Sequence, residues 1–266
     1  MISNVKAENS YILITIVITL CVLSGGCSSS VGYEESVKTV KEPPSAETMA
    51  KADELFSQRA DLSKLREAIA VLQRARFDYL RSYEVEWKYA RANYFLGRHT
   101  DDDKERDKAF EDGKAAAQLA RQLEPNKPDG HFWYGANLGE QSSRSPIMVG
   151  MKSIDEIRDA MNRVIELQPD YELASGYDAL GQVELETGLM GGKPEKAAEY
   201  LEKALALEKN NGDIRIHLAQ AYLALKREPE AKKMLESVLT IKPHPEYMPE
   251  YDEQVDKAKQ LLRTRF

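Results

Sequence analysis

The side chains of this 266-residue chain that could do chemistry are few, and their spacing defeats most of what they could do. Its two cysteines, Cys21 and Cys27, both lie in the first 27 residues, so the rest of the chain has no thiolate nucleophile, disulfide or Cys-ligated metal. His99, His131, His217 and His244 are scattered, and no H-E-x-x-H places two of them on one helical face. Asp101-Asp102-Asp103 has neither the turn glycine nor the closing bidentate Glu of a calcium loop, and is expected to be a solvated acidic loop. Gly191-Gly192-Lys193 fails as a phosphate loop, because Thr187 stands five residues before Gly192 and Pro194 follows the lysine. No G-x-S-x-G marks a serine nucleophile. Paired acid/base work by carboxylates such as Glu184 or Asp178 is the one enzymatic alternative. The reading is therefore a protein with no catalytic residues, no metal site and no cofactor. With 37 Lys plus Arg against 44 Asp plus Glu, the net charge of −7 also argues against nucleic acid as a partner.

Cys27 is the exception. Tyr11 to Leu23 form an uncharged apolar run of 13 residues, shorter than the ~20 a helix needs to cross a bilayer, and Ser24-Gly25-Gly26-Cys27 follows. This resembles a bacterial lipobox, with Ser24 where Leu is usual. The resemblance implies a signal peptide over 1–26, a lipidated Cys27 as new N-terminus, and stable attachment by two or more acyl chains. An uncleaved signal anchor and an ordinary cleaved signal peptide are the alternatives. Residues 27–45 then read as anchor and tether: Ser28 to Ser45 hold five Ser and the Pro43-Pro44 pair, and reach roughly 25 Å as a flexible coil. Ser28, where Asp commonly signals inner-membrane retention, leans toward the outer membrane, facing the periplasm.

The elements that position everything else are helices. From Ala46 onward the apolar spacing is helical, and no run alternates as a strand would. AAEYLEKALALEKNN aligns with EAKKMLESVLTIKPH at a shift of 34 residues, matching Ala197 to Ala231 and Leu201 to Leu235. That is the tetratricopeptide (TPR) period, and Leu218-Ala219 with Tyr222 completes a TPR first helix. Leu180-Gly181, Trp133 with Ala136, and Trp87 with Ala90 repeat the pattern upstream. The fold class is all-α, a TPR-like solenoid over 46–266, with hairpins at 46–79, 82–124, 129–168, 172–209 and 212–241. A capping helix is expected from about Pro249 to Arg263, with the Pro-bracketed segment before it as a linker. Ser153 with Glu156 reads as a capping box that starts a helix, leaving Ile147 to Met151 as an apolar loop. Neither hairpin of a stacked pair buries its apolar face alone.

The stretches EWKYARANYFLGR, GHFWYGANLGEQ and IDEIRDAMNRVIELQPDY resemble the helical core of the regulator of microtubule dynamics family, over roughly Tyr83 to Leu239. They are similar also to the lipoprotein T component associated with TRAP transporters, whose GGKPEKA-like loop-to-helix stretch falls at Gly191 to Ala197. The first resemblance implies architecture alone. The second implies a periplasmic accessory protein that contacts a solute-binding protein and holds a small hydrophobic ligand. On the residues themselves, Trp133 is expected in the core and His131 at a helix start. Lys88, Tyr134, Asp178, Gln182 and Gln220 fall on the first-helix face that TPR ligands contact, and are expected as exposed groove residues for periplasmic or envelope protein partners. The function expected is a membrane-tethered, non-catalytic binding scaffold. The alternative is an accessory protein of a solute transporter.

Overall fold

The computed structural model describes residues 45–76, 81–144, 146–188 and 191–266, with side chains from Ser153 onward in the stretch that begins at 146. The expectations for the signal peptide, Cys27 and the tether lie outside the described residues, apart from Ser45. The described residues form eleven α-helices: α1 (Ala46–Ser57), α2 (Leu62–Ala75), α3 (Tyr83–His99), α4 (Asp103–Leu123), α5 (Pro128–Arg144), α6 (Pro146–Leu167), α7 (Tyr171–Glu186), α8 (Pro194–Leu207), α9 (Gly212–Ala224), α10 (Glu228–Val238) and α11 (Tyr251–Arg265). A 3-10 helix, Pro245–Glu250, precedes the last. Among the described residues there is no strand, and no helix is long and apolar enough to cross a membrane.

The helix starts follow from short polar side chains that satisfy free backbone N–H groups. Ser45 caps α1 through the Thr48 amide, Asp61 caps α2 through Ser63, and Asn211 caps α9 through Asp213 and Ile214. Asp102 accepts from the amides of Lys104 and Glu105, so the three-aspartate stretch is a helix cap and first turn where a solvated loop was expected. Pro194 and Pro229 stand in first turns, where a missing N–H costs nothing. The expected apolar loop is corrected too: residues 147–151 are helical, because Pro146 opens α6 seven residues before Ser153. Ser153 is buried within that helix, not at its start.

Each helix packs on the next in chain order, giving the five expected hairpins. The odd-numbered helices also touch one another, α3 with α5, α5 with α7, α7 with α9 and α9 with α11, so they form an inner row with the even-numbered helices largely outside. Close approach within a hairpin requires a small residue: a Cβ on Gly181 would stand 2.5 Å from Leu201 Cγ. Apolar side chains of α1 to α7 make one buried cluster around Leu65, Val85, Ala116, Trp133 and Met161. A second, around Leu201, Ile216, Leu218 and Leu235, joins α8 to α11. Charge is buried as well. Glu86 is 0% exposed and bonds Arg76 and Arg81, at 2.9 and 3.0 Å.

Candidate functional site

The inner row closes around a cavity of about 510 Å³. Its aromatic wall comes from α3 and α5, where Tyr94, Phe95 and Phe132 surround Trp133 with ring centroids 5.5, 6.2 and 4.8 Å away. Trp133 is 2% exposed, and its indole N–H has no hydrogen-bond partner among the described residues. Gly139, six residues further along α5, borders open space: a Cβ there would meet only Ile157 Cδ1, at 4.0 Å.

The polar wall comes from α7 and α9. Asp178 Oδ1 lies 2.8 Å from His217 Nδ1, and its Oδ2 accepts from Gln182 Nε2 at 2.8 Å, so the buried carboxylate is held by two partners. The hydroxyls around the cavity are spent internally: Ser142, Ser143, Ser175 and Thr187 each donate to a carbonyl three or four residues back. Among the described residues no group of His, Cys, Asp and Glu is placed to hold a metal ion. The arrangement presents ring faces, the indole N–H of Trp133 and a fixed carboxamide and imidazole, which is equipment for binding.

The roof is the C-terminal segment. Tyr247 donates to Glu172 Oε2 at 2.9 Å, Gln254 Nε2 donates to Asp213 Oδ2 at 2.8 Å, and Arg59 holds Glu250 through two bonds of 2.7 and 2.9 Å. The expected linker is thus a structural element that joins the first hairpin to the last. Glu172 belongs to a left-handed stretch, with φ of 46°, 56° and 63° at Glu172, Leu173 and Ala174, before α7 becomes regular. Such backbone costs of order 1–3 kcal/mol per residue and persists only where the surroundings hold it. Burial pushes the Glu172 carboxyl above the usual carboxylate range, with the Arg91 charge opposing, and burial beside Glu172 pushes the Tyr247 phenol up.

Of the five expected groove residues, Asp178 and Gln182 line the cavity, while Lys88, Tyr134 and Gln220 do not. The expectation of free exposure is corrected for three. Lys88 is buried and paired with Asp53 of α1 at 2.6 Å and Glu84 at 2.7 Å, because the first hairpin covers that face of α3. Tyr134 is buried between α4 and α6, its hydroxyl donating to Glu156 at 2.6 Å and its ring 3.8 Å from the Arg121 guanidinium. Asp178 is buried against His217. Gln220 is half-buried away from the cavity. His131 bonds the Pro125 carbonyl at 2.9 Å at the start of α5, and Trp133 is core and cavity wall together. Glu184 is occupied by Arg158 at 3.1 Å and the Lys193 amide at 3.1 Å. Arg59, Glu172 and Tyr247 were missed. The isolated Pro-Glu-Tyr repeat, PEY at 245–247 and 249–251, was the available signal.

Two family models match the chain: regulator of microtubule dynamics protein 1-3 over residues 48–177, and tetratricopeptide repeat over 189–248. The first match spans most of the first apolar cluster and the second most of the other. No curated protein matches the chain. Among solved structures, the thermophilic TPR protein TTC0263 of Thermus thermophilus superposes with a TM-score of 0.59 at 20% identity, over 81% of this chain and 98% of that one. The pilF protein of Pseudomonas aeruginosa superposes with a TM-score of 0.53 at 17% identity, over 82% and 92%. At these identities the likeness is one of fold.

Proposed function

We propose that this chain, a TPR-like helical protein, is a non-catalytic scaffold of the cell envelope that is anchored through an acylated Cys27 and receives a protein partner at its inner cavity. The observation that carries the reading is the composition of that cavity. One wall offers Phe95, Phe132 and Trp133, the other Asp178, Gln182 and His217, and a polypeptide segment presents both apolar side chains and amide groups to match them. The unpartnered indole N–H of Trp133 is suited to a backbone carbonyl. Anchoring rests on the 13-residue apolar run and Gly25-Gly26-Cys27. A periplasm-facing outer-membrane position is part of the same proposal.

A photo-crosslinking residue in place of Gln182 should give adducts with an envelope protein in cells, and the same residue at exposed Glu199 on α8 should give none. Adducts from Glu199 alone would refute the inner-face reading. Cys27→Ser should move the protein from membrane to soluble periplasmic fractions; a variant that still sediments with membrane after a salt wash would refute the anchor.

The aromatic wall and the volume favour a second reading, an accessory protein of a solute transporter that holds a small hydrophobic ligand. Native mass spectrometry separates the two: a bound small molecule of constant mass on the purified chain supports the second, and its absence with persistent protein adducts supports the first.

A further inference from the structure

The cavity roof indicates what kind of partner segment the inner face accepts. Arg59, in the turn between α1 and α2, is 6% exposed and packs over the rings of Phe56 and Phe95, at 4.9 and 5.0 Å. A guanidinium so buried needs an anionic partner, and its ion pair is with Glu250, 191 positions later. Its Nη2 also donates to the Glu246 carbonyl. The segment that supplies these groups is a poor anchor in every other respect. None of Pro245 to Glu250 is buried, and Met248, its one aliphatic side chain outside proline, is 54% exposed. It follows a non-helical stretch around Pro243. What holds it is Arg59 at one end and the Tyr247 hydroxyl on Glu172 at the other.

A strap held by Arg59 on Glu246 and Glu250 and by Tyr247 on Glu172, with its one aliphatic side chain outside proline left exposed, over a cavity that its Tyr247 and Glu250 help to line, is built to exchange. We propose that residues 244–250 are an intramolecular stand-in for the partner, and that the partner presents an acidic segment with a tyrosine three residues before a glutamate, as Tyr247 stands before Glu250. Arg59 reads the carboxylate in two-pronged geometry and Glu172 reads the phenol. Tyr251, in the second Pro-Glu-Tyr copy, donates to the carbonyls of Val238 and Ile241, so α11 keeps its own attachment when the strap leaves. The proposal rests on the scaffold reading above and names the chemistry of its partner.

The test uses the full chain carrying Cys27→Ser, with and without Tyr247→Phe plus Glu250→Gln, which unlatch the strap. The probe is a fluorescein-labelled peptide of residues 243–252 (PHPEYMPEYD), read by anisotropy. The unlatched chain should bind it at least tenfold more tightly than the parent, Arg59→Met should abolish the gain, and a peptide with both glutamates changed to glutamine should not bind. Equal binding by parent and unlatched chains, or of acidic and glutamine peptides, overturns the proposal. Should the double variant lose helicity, Tyr247→Phe alone should show a smaller gain of about threefold, and no gain overturns the idea equally. If the unlatched chain dimerises on light scattering and the peptide does not dissociate it, the occupant is a second copy and the proposal fails. Loss of peptide binding with Gln182 crosslinks intact would remove this partner chemistry and leave the scaffold reading standing.

Discussion

Stability of the solenoid depends on how closely the helices of each hairpin approach, and Gly181 with Leu201 measures that approach. Leu201 is 0% exposed, and its Cγ, Cδ1 and Cδ2 would lie 2.5, 3.0 and 3.0 Å from a Cβ on Gly181. Gly181→Ala therefore forces overlap costing about 1–3 kcal/mol, offset by about 1 kcal/mol of helix propensity. The single variant should lose ~0–2 kcal/mol. Leu201→Ala removes the buried isobutyl group and should cost about 2–5 kcal/mol. In the double variant the overlap is gone, the added methyl occupies part of the space, and the helix gain remains, so it should be more stable than Leu201→Ala by about 1–2 kcal/mol. Urea unfolding of the Cys27→Ser chain, followed by circular dichroism, gives the four free energies. Additivity within ~0.5 kcal/mol would show that α7 and α8 do not meet through these residues, and the hairpin register would be wrong.

Ala231, fully buried in α10, is the repeat partner of Ala197, and Ala231→Phe should cost about 1–3 kcal/mol by overpacking; an unchanged thermal midpoint would displace the 34-residue repeat. Glu86→Gln strips the buried charge from between Arg76 and Arg81 and should cost about 3–5 kcal/mol in the same urea assay, whereas a loss below ~1 kcal/mol would contradict its burial. The Arg66 guanidinium, with Thr100, holds the Glu105 carboxyl down at about 2. A depressed folded-state value means stability that is present above the ordinary 4.5 and lost as pH falls toward 2, so Arg66→Met should flatten the fall in urea midpoint across that window. An unaltered acid limb would place the acid sensitivity elsewhere.

The helical hairpins were legible because a packed inner face imposes a period on apolar residues, and the TPR shift carried Ala197, Leu201, Ala231 and Leu235 to their buried positions. Polar residues were less legible. Sequence spacing placed Lys88 and Tyr134 on a helix face but not beneath Asp53 or between α4 and α6, since those neighbours depend on how hairpins stack. The same gap explains Glu86 and Arg59, whose charges look solvated in sequence and are buried in pairs. Pro146 hid the start of α6, because a first-turn proline and a loop proline read alike without the turn they sit in. The site was half visible: Asp178 and Gln182 are legible, and the strap that roofs them reads as a linker because it has no apolar periodicity and its one aliphatic side chain outside proline, Met248, is exposed.

Filling the cavity tests the central claim most directly. Gly139→Leu should project into open space, since a Cβ there has only Ile157 Cδ1 nearby, and should leave the thermal midpoint within a few degrees. With the crosslinker at Gln182, the envelope adduct should fall at least tenfold in Gly139→Leu while expression and membrane attachment are unchanged. An adduct of undiminished yield from the filled cavity would contradict the claim that the partner enters there.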